Sequence, residues 1–473
     1  MSAATVRQWL LVCAAGALAG CGPAAVPPPN LVLVTLESLR TDHVGAYGGR
    51  ARTRPEVSIT PNLDAFAAEA VRFDDAHAVS SWTLTSHASL FTGLYPNGHR
   101  AVRPLDRLSD SYPTLAKALA AAGYQTAGVV SGPYLRRAHN LSQGFELWDD
   151  EISSLTDALA HDDVTNPAME KSLARFVESE RDPKRPFFLF AYFWDPHYDY
   201  LPPPPYDTMF SSPDAQPIDL SRFETNPAIY AGMPPAQLAY ILSQYAGEIR
   251  ATDEYLGRFF ALLKQHGLWQ NTAILITADH GEEFFDHGEK GHKNNLYVET
   301  IQVPLLLKLP KSASGRVDRR LASHVDVLPT LLELAGVTPD FPYQGRSLLE
   351  PNPPPSRAIF FDLLSIWFYR RADGSPFDVT QDWRGVRAGD WKLVWREGEQ
   401  SVPLRALYDS VRDPAEREDV SAANESRVRA LEALYQAQRR ESEAIAAPHP
   451  AGGSADLSPR ELESLRALGY VDP

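Results

Sequence analysis

The stretch LVLVTLES (residues 31–38) is an apolar, β-branched run that leads directly into a glutamate and a serine. Three runs of the same kind follow, namely PFFLFAYFW (186–194), TAILIT (272–277) and VPLLL (303–307). Continuous apolar runs of this length are typical of strands that are buried on both faces of a sheet. Helical patterns lie between them, at YPTLAKALAAAG (112–123), whose last Gly suits a helix end, and at 238–265. Strands that alternate with helices predict an α/β fold with a mostly parallel sheet flanked by helices.

The character of the chain changes in its last quarter. Short strand-like segments at 358–363, 383–395 and 405–408 predict a small antiparallel subdomain. A charged helical pattern follows at 426–446, and a short final helix is expected at 457–470. The segment 202–235 is rich in Pro, Asp and Ser, so it is expected to form a long surface loop near the functional site.

The N-terminus has the features of a targeting segment. A basic residue, Arg7, precedes a short apolar run, and Leu18-Ala19-Gly20 then leads into Cys21. Small residues before a cysteine resemble the processing box of bacterial lipoproteins. Residues 1–20 are therefore expected to be a signal peptide, Cys21 the lipidated residue and 21–30 a tether. The alternative is an ordinary signal peptide that a cysteine happens to follow.

Lipidation would make this an exported protein of the bacterial cell envelope, attached to a membrane through its N-terminal lipid. The only other cysteine, Cys13, would leave with the signal peptide, so no internal disulfide is expected. The formal net charge is −15, and no dense run of Lys or Arg occurs. These features argue against binding to nucleic acid.

Polar residues follow the buried strands at the points where the strands end. Glu37-Ser38 follow the first run, Asp195-Pro196-His197 the second, and Asp279-His280-Gly281-Glu282 the third. The carboxyl ends of strands in an open α/β sheet face a common crevice, so these groups are expected to converge.

Glu37, Asp279 and His280 together predict a site for one divalent metal ion. Two carboxylates and an imidazole suit Mn²⁺ or Zn²⁺ better than Ca²⁺, which prefers oxygen alone, and Ca²⁺ or Mg²⁺ is the alternative. Such an ion could hold and ionise a hydroxyl, and SSWTLTSHASLFTG (80–93) offers several. Further groups could bind an anion or protonate a leaving oxygen, namely His197, His287, His292 and Lys293.

Several stretches together resemble the sulfatase family of the alkaline phosphatase superfamily. They occur in the order of that family and cover nearly all of residues 30–420: NLVLVTLESLRTDHVGAYG, SSWTLTSHASLFTGLYP, PFFLFAYFWDPHYDY, ITADHGEEFFDHGEKGHKNNLYVETIQVPLLL, HVDVLPTLLELAGV, QGRSL and LYDSVRDPAER. The resemblance implies a sulfatase-like catalytic domain at 31–350, an antiparallel subdomain at 351–420 and a helical tail at 421–473.

The nucleophile position departs from the family pattern. The family signature begins with Cys or Ser and ends in Thr-Gly, and counting back from Thr92-Gly93 places Thr83 at its first position. Thr85 stands where Pro is usual and His87 where Arg is usual. Sulfatases convert the first residue to formylglycine. Threonine cannot give that aldehyde, because its β-carbon carries a methyl group.

A threonine nucleophile, with Glu37 on the first strand, resembles the lipoteichoic acid synthases and phosphoethanolamine transferases. That resemblance implies that Glu37, Thr83, Asp279 and His280 bind one Mn²⁺ or Zn²⁺ ion, and that a phospho-threonine intermediate forms. It also implies anion-binding roles for His197 and Lys293. The general acid would be His292 or His287.

The leading hypothesis is a metal-dependent hydrolase or transferase that acts through Thr83 on anionic phosphate esters. A phosphodiester, an envelope glycan phosphate or a lipid headgroup is the expected class of substrate. One alternative is a sulfuric ester hydrolase that works without formylglycine. A second is an inactive, lipid-anchored module that binds glycans. The survival of the predicted metal ligands argues against the inactive module.

Overall fold

A computed structural model describes residues 28–154, 165–224, 226–351, 356–370, 376–397, 404–467 and 471. The signal peptide, Cys21 and most of the tether therefore lie outside the described residues. Within the described residues, no helix is both long and apolar enough to cross a membrane.

An eight-stranded sheet forms the centre of the molecule, in the order β10-β2-β9-β6-β1-β5-β3-β4. All of these strands run parallel except β9, which pairs antiparallel with both of its neighbours. The strands are β1 (Asn30–Leu36), β2 (Val71–His77), β3 (Gln125–Val130), β4 (Leu147–Asp149), β5 (Phe187–Phe193), β6 (Thr272–Ala278), β9 (Leu305–Lys308) and β10 (Arg316–Ser323). A two-stranded ribbon, β7 (Glu283–Phe284) and β8 (Lys290–Gly291), follows β6. The predicted α/β fold is confirmed, and the apolar run VPLLL is the antiparallel strand β9.

Helices cover both faces of this sheet. They are α1 (Pro61–Ala67), α2 (Thr83–Thr92), α3 (Pro96–His99), α4 (Leu115–Ala121), α5 (Asn166–Arg175), α6 (Tyr206–Met209), α7 (Pro235–Gln265), α8 (Val298–Ile301) and α9 (Val327–Leu334). Side chains of β1 alternate between two cores, with Leu31 and Leu33 in one and Val32 and Val34 in the other. This alternation explains the unbroken apolar run, since neither face of the strand meets water.

A separate four-stranded antiparallel sheet forms the predicted C-terminal subdomain. Its strands are β11 (Ala358–Arg370), β12 (Pro376–Ala388), β13 (Trp391–Glu397) and β14 (Arg405–Asp409), paired in chain order. Helix α10 (Glu425–Ala446) packs on this sheet through Val428, Leu431 and Tyr435, which share a core with Leu393 and Leu407. A short helix α11 (Pro459–Ala467) follows.

Strand register brings two of the predicted ligands side by side. Leu36, the last residue of β1, is paired with Ala278 of β6 and with Phe193 of β5. The residues that follow, Glu37 and Asp279, therefore leave the sheet next to each other at its carboxyl edge. The backbone N–H of Glu37 donates to the carbonyl of Phe193 at 3.0 Å, which holds this edge together.

Candidate active site

A buried group of side chains, here called the strand-end cluster, lies at the carboxyl edge of β1 and β6. It consists of Glu37, Thr83, Asp279, His280 and His292. Glu37, Asp279, His280 and His292 are 0% exposed and Thr83 is 2% exposed. The structure thus brings together the four predicted metal ligands. It places beside them His292, which was predicted as a general acid.

His280 lies at the centre of the cluster. Its Nε2 is 3.2 Å from the Thr83 hydroxyl, 3.2 Å from Oε1 of Glu37 and 3.5 Å from Oδ2 of Asp279. Its Nδ1 donates to the carbonyl of Gly281 at 2.9 Å, which fixes the orientation of the ring. Nε2 is therefore the nitrogen that faces the carboxylates.

The carboxylates of the cluster favour a positive charge between them. Burial lowers the pKa of His280, but Asp279 and Glu37 outweigh burial and raise it to about 10. Burial raises the pKa of Glu37, yet the neighbouring His280 outweighs burial and holds it well below its ordinary value. For Asp279, burial and the charge of Glu37 together raise the pKa well above its usual range. A divalent cation would meet the same electrostatic demand that the His280 proton meets here.

Two buried atoms of the cluster make no hydrogen bond, namely Oδ2 of Asp279 and Nε2 of His292. Buried polar atoms without a partner are rare in proteins and call for an explanation such as a bound ion. One ligand atom each from Glu37, His280 and His292 lies within 4.8 Å of the other two, which is close enough for all three to reach one ion. This set of nitrogen and oxygen donors fits a divalent metal such as Zn²⁺ or Mn²⁺.

His292 is held for such a role by a carboxylate behind it. Its Nδ1 lies 3.2 Å from Oε1 of Glu282, whose Oε2 accepts a hydrogen bond from the Tyr200 hydroxyl at 2.8 Å. Burial holds the pKa of His292 well below its ordinary value, so the ring is neutral. This contact with the Glu282 carboxyl group orients the ring and leaves the other nitrogen available as a ligand.

Thr83 is the first residue of helix α2, and its hydroxyl lies inside the cluster. The hydroxyl donates to Oε2 of Glu37 at 3.4 Å and lies beside Nε2 of His280. A hydrogen bond from the Tyr192 hydroxyl also reaches Oε2 of Glu37. The partial positive charge of a helix N-terminus favours negative charge at this position.

His87 stands where the family signature has Arg, and both of its nitrogens are engaged within the protein. Nδ1 donates to the carbonyl of Thr83 at 2.8 Å, and Nε2 accepts from the hydroxyl of Thr35 at 2.9 Å. Burial lowers the pKa of His87 to about 4, so the ring is neutral. His87 therefore fastens the first turn of α2 to β1.

The two predicted anion-binding residues lie close to the cluster. The His197 ring is centred 5.2 Å from that of His292, and its Nδ1 donates to the carbonyl of Tyr198 at 2.6 Å. Lys293 directly follows His292, and its backbone N–H donates to the carbonyl of Ser81 at 3.0 Å. Its ammonium lies 2.6 Å from Oε2 of Glu224, a contact that the sequence did not predict.

His287, the other predicted general acid, lies in a different setting, here called the subdomain seam (His287, Tyr297, Glu299, Lys392 and Glu416). Its Nδ1 is 2.7 Å from Oε1 of Glu299, and its Nε2 donates to the carbonyl of Glu416 at 2.9 Å. The ring stacks on Tyr297 at 3.8 Å. Both nitrogens are therefore occupied away from the strand-end cluster, and the structure does not bring His287 to the nucleophile.

Asp195, the remaining strand-end acid, has a structural role. Its Oδ1 accepts from the Thr165 hydroxyl at 2.7 Å and its Oδ2 from the backbone N–H of Asn166 at 2.9 Å, at the start of α5. Sequence reasoning missed the supporting roles of Glu282, Tyr192 and Tyr200. Glu282 carried a signal, since it lies three residues after Asp279 on the same strand end, whereas the two tyrosines carried none.

Comparisons with known proteins identify relatives of this chain. A family model described as Sulfatase matches residues 29–337, and one described as N-sulphoglucosamine sulphohydrolase, C-terminal, matches residues 286–441. The chain is 27% identical to the multifunctional alkaline phosphatase superfamily protein PehA of Trinickia caryophylli, over 68% of this chain and 76% of that protein. It is 24% identical to an endo-4-O-sulfatase of Bacteroides thetaiotaomicron, over 82% of this chain and 86% of the relative.

Solved structures share the fold. One, a protein in complex with its substrate D-glucosamine-2-N,6-O-disulfate, matches with a TM-score of 0.71 and 21% identity, over 88% of this chain and 98% of the other. Another is the phosphonate monoester hydrolase of Agrobacterium radiobacter, with a TM-score of 0.65 and 23% identity, over 89% of this chain and 96% of the other.

Proposed function

The chain belongs to the sulfatase family, and from that premise we propose that it cleaves or transfers phosphoric esters with the hydroxyl of Thr83 as its nucleophile. One observation carries the proposal, namely the position of that hydroxyl. It lies within 3.4 Å of the Glu37 carboxylate and 3.2 Å of Nε2 of His280, at the start of helix α2. This position supports Thr83 as the nucleophile, and the methyl group on its β-carbon rules out conversion to formylglycine.

The cluster would hold one divalent metal ion through Glu37, Asp279, His280 and His292, beside the Thr83 hydroxyl. Such an ion, of which Mn²⁺ and Zn²⁺ suit the donor set best, would favour ionisation of a hydroxyl and offset negative charge on the ester. We assign His292 to this set rather than to the general-acid role, because its ring is neutral and its Nδ1 is held by Glu282.

A two-step transfer follows. The oxygen of Thr83 forms a bond to phosphorus while the bond from phosphorus to the leaving oxygen breaks, and in the net step the proton that Thr83 loses is the one that the leaving oxygen gains. The threonine now carries the phosphoryl ester. In hydrolysis a water molecule attacks the same phosphorus, which releases the phosphate product and returns the threonine hydroxyl. His87 keeps Thr83 in place through its bond to the Thr83 carbonyl.

A sulfuric ester hydrolase is the second candidate, and the relatives favour it. The endo-4-O-sulfatase, and the structure that holds a disulfated glucosamine, have names that point to sulfated glycans. The phosphonate monoester hydrolase, which shares the fold, has a name that points to a different class of ester. Under either candidate the substrate is an anionic ester, and an envelope glycan or lipid headgroup is the proposed carrier.

Model substrates distinguish the two candidates. The protein without its first 21 residues would be loaded with Mn²⁺ or Zn²⁺, and its rates measured on a diaryl phosphodiester, an aryl phosphomonoester and an aryl sulfate. Thr83→Ala serves as the blank, and we expect it to lower turnover about a thousandfold or more, the scale of losing a nucleophile. Faster Thr83-dependent cleavage of the phosphodiester supports phosphoryl transfer. Faster cleavage of the sulfate, or activity retained by Thr83→Ala, contradicts the proposal.

We further propose that the protein is an exported lipoprotein, anchored to a membrane of the cell envelope through lipid on Cys21. The proposal is supported by the Leu-Ala-Gly-Cys sequence at 18–21, after the apolar run. Cys21→Ser should move the protein from the membrane fraction to the soluble fraction of the expressing bacterium. An unchanged distribution would remove Cys21 as the anchor.

A further inference from the structure

A buried ion pair lies beside the nucleophile and joins the long loop to the predicted anion-binding lysine. Oε2 of Glu224 is 2.6 Å from Nζ of Lys293, and the two side chains are 9% and 8% exposed. Burial penalises an isolated ion of either sign, and each partner offsets that penalty for the other. Whether the proton is on the lysine or shared with the acid, the pair as a whole carries no net charge.

The pair borders the place where the ester must lie. Lys293 directly follows His292 of the cluster, and its backbone N–H is bonded to the carbonyl of Ser81. Its ammonium lies 5.8 Å from the centre of the Trp82 ring, and Trp82 directly precedes Thr83. Lys293 therefore contacts the two residues that precede Thr83, Ser81 and Trp82.

Contacts on both sides hold Glu224 in place. Before it, the Asp199 carboxylate accepts from the backbone N–H groups of Arg222 and Phe223, both at 2.6 Å. After it, the Lys290 ammonium donates to the carbonyls of Asn226 at 2.8 Å and Ile229 at 2.6 Å. These contacts hold the loop on both sides of Glu224, and the ion pair with Lys293 holds its side chain.

Gly291 contributes to the same arrangement. Its backbone has φ +79, and a Cβ at this position would lie 3.1 Å from Oε1 of Glu224. A glycine here therefore meets two needs at once, the left-handed backbone and the close approach of the loop acid.

We propose that Glu224 sets the charge of the ester that this site accepts, by cancelling one positive charge next to the nucleophile. An ester with a single negative charge, such as a phosphodiester or a sulfate ester, then binds better than a phosphomonoester with two. With Glu224 in place the pair is neutral. Without the charge of Glu224, Lys293 would present one positive charge, which attracts an ester with two negative charges more strongly than an ester with one. The inference rests on the proposed function and adds the charge class of its substrate.

The test measures substrate preference in Glu224→Gln. Rates on an aryl phosphomonoester and on the diaryl phosphodiester would be compared at pH 8, where the monoester is a dianion. We expect the ratio of kcat/KM for monoester to that for diester to rise about tenfold, equivalent to about 1.4 kcal/mol. Glu224→Asp, which keeps the charge, should keep the ratio of the unaltered enzyme. Asp214→Asn removes an exposed charge from the same loop and should change nothing.

Each outcome decides the inference. An unchanged ratio of the two kcat/KM values in Glu224→Gln overturns the inference. An equal gain on both substrates is such a case, and it would mean that the acid only blocks entry of the substrate. Circular dichroism and the melting temperature show whether each variant is folded. If Glu224→Gln does not fold, Glu224→Ala, which also removes the charge, should shift the ratio in the same direction, and no shift overturns the inference. Failure of the proposed function would appear differently, because Thr83→Ala would then cleave these substrates as fast as the unaltered enzyme does.

Discussion

The strand-end cluster and the subdomain seam are both buried groups of acids and bases, yet they differ in how completely their atoms are paired. In the seam, Lys392 is 2.7 Å from Glu416, Glu416 accepts from the backbone of Val298 at 3.0 Å, and both nitrogens of His287 are occupied. In the cluster, Oδ2 of Asp279 and Nε2 of His292 have no hydrogen-bond partner.

This difference in hydrogen bonding distinguishes side chains that stabilise the fold from side chains that are available to bind a ligand. Unmade hydrogen bonds in a buried site cost free energy, and a bound ion is one way in which such atoms are satisfied. The seam is complete in itself and ties the main sheet to the C-terminal sheet. The cluster is incomplete and lies beside Thr83, the proposed nucleophile. His287 and His292, five residues apart in the sequence, thereby lie in different surroundings, and we propose different roles for them.

Within the comparison of the two histidines, the largest effect is expected from removing the cluster histidine. His292→Ala should lose the bound metal ion and lower turnover by about a hundredfold or more, because one of four protein ligands is gone. His287→Ala is the matched control, and it should keep the full metal content. Metal stoichiometry by elemental analysis of the purified variants checks both. Equal metal loss in the two variants would contradict the separation of roles.

A smaller effect on metal binding is expected for Glu282, whose side chain contacts Nδ1 of His292. Glu282→Gln keeps the shape of the side chain but weakens its hold on Nδ1 of His292, so metal affinity should fall about 10–100-fold. Competition with a chelator gives the affinity. Glu299→Gln makes the same change at His287 and should leave the affinity as it is. If Glu282→Gln binds metal as tightly as the unaltered protein, His292 is not held for a ligand role.

The smallest effect is expected for the seam and concerns stability. His287→Gln leaves the buried Glu299 without its charged partner, and the free energy of unfolding should fall by about 1–3 kcal/mol. Burial opposes protonation of His287, but Glu299 outweighs it and raises the pKa. The folded protein therefore holds this proton more tightly than the unfolded chain. The stabilisation is complete below the unfolded value, about 6.5, and is lost as pH rises through the raised one.

Denaturant unfolding at pH 6 and pH 9 checks this dependence. The gap between the unaltered protein and His287→Gln should be larger at pH 6 than at pH 9. A gap that is larger at pH 9 would show that His287 is neutral in the fold and that the seam does not depend on its charge.

The parts of this structure that the sequence predicted well are those set by strand geometry. Apolar runs identify strands buried on both faces, and the residues after them meet because parallel strands end at one edge. That reasoning placed Glu37, Asp279 and His280 together. Thr83 came from the family signature. Neither inference depended on the path of a loop.

The parts that escaped prediction depend on loops and on contacts across the fold. His287 and His292 lie in one short segment of similar composition, and only the turn between β7 and β8 separates their surroundings. Glu224 is one acid in a loop with several, and only its contact with Lys293 makes it distinct. The antiparallel direction of β9 was hidden as well, since an apolar run does not show which way its strand points.

The central claim is that Thr83 forms a bond to the phosphorus of the substrate. The most direct measurement mixes the metal-loaded enzyme with an excess of a diaryl phosphodiester, quenches with acid within one turnover, and determines the mass of the peptide that contains Thr83. The account predicts a peptide heavier by one aryl phosphoryl group, with fragmentation placing the group on Thr83 and no such peptide from Thr83→Ala. An unmodified Thr83 peptide during active turnover, or the group on another residue, would contradict it.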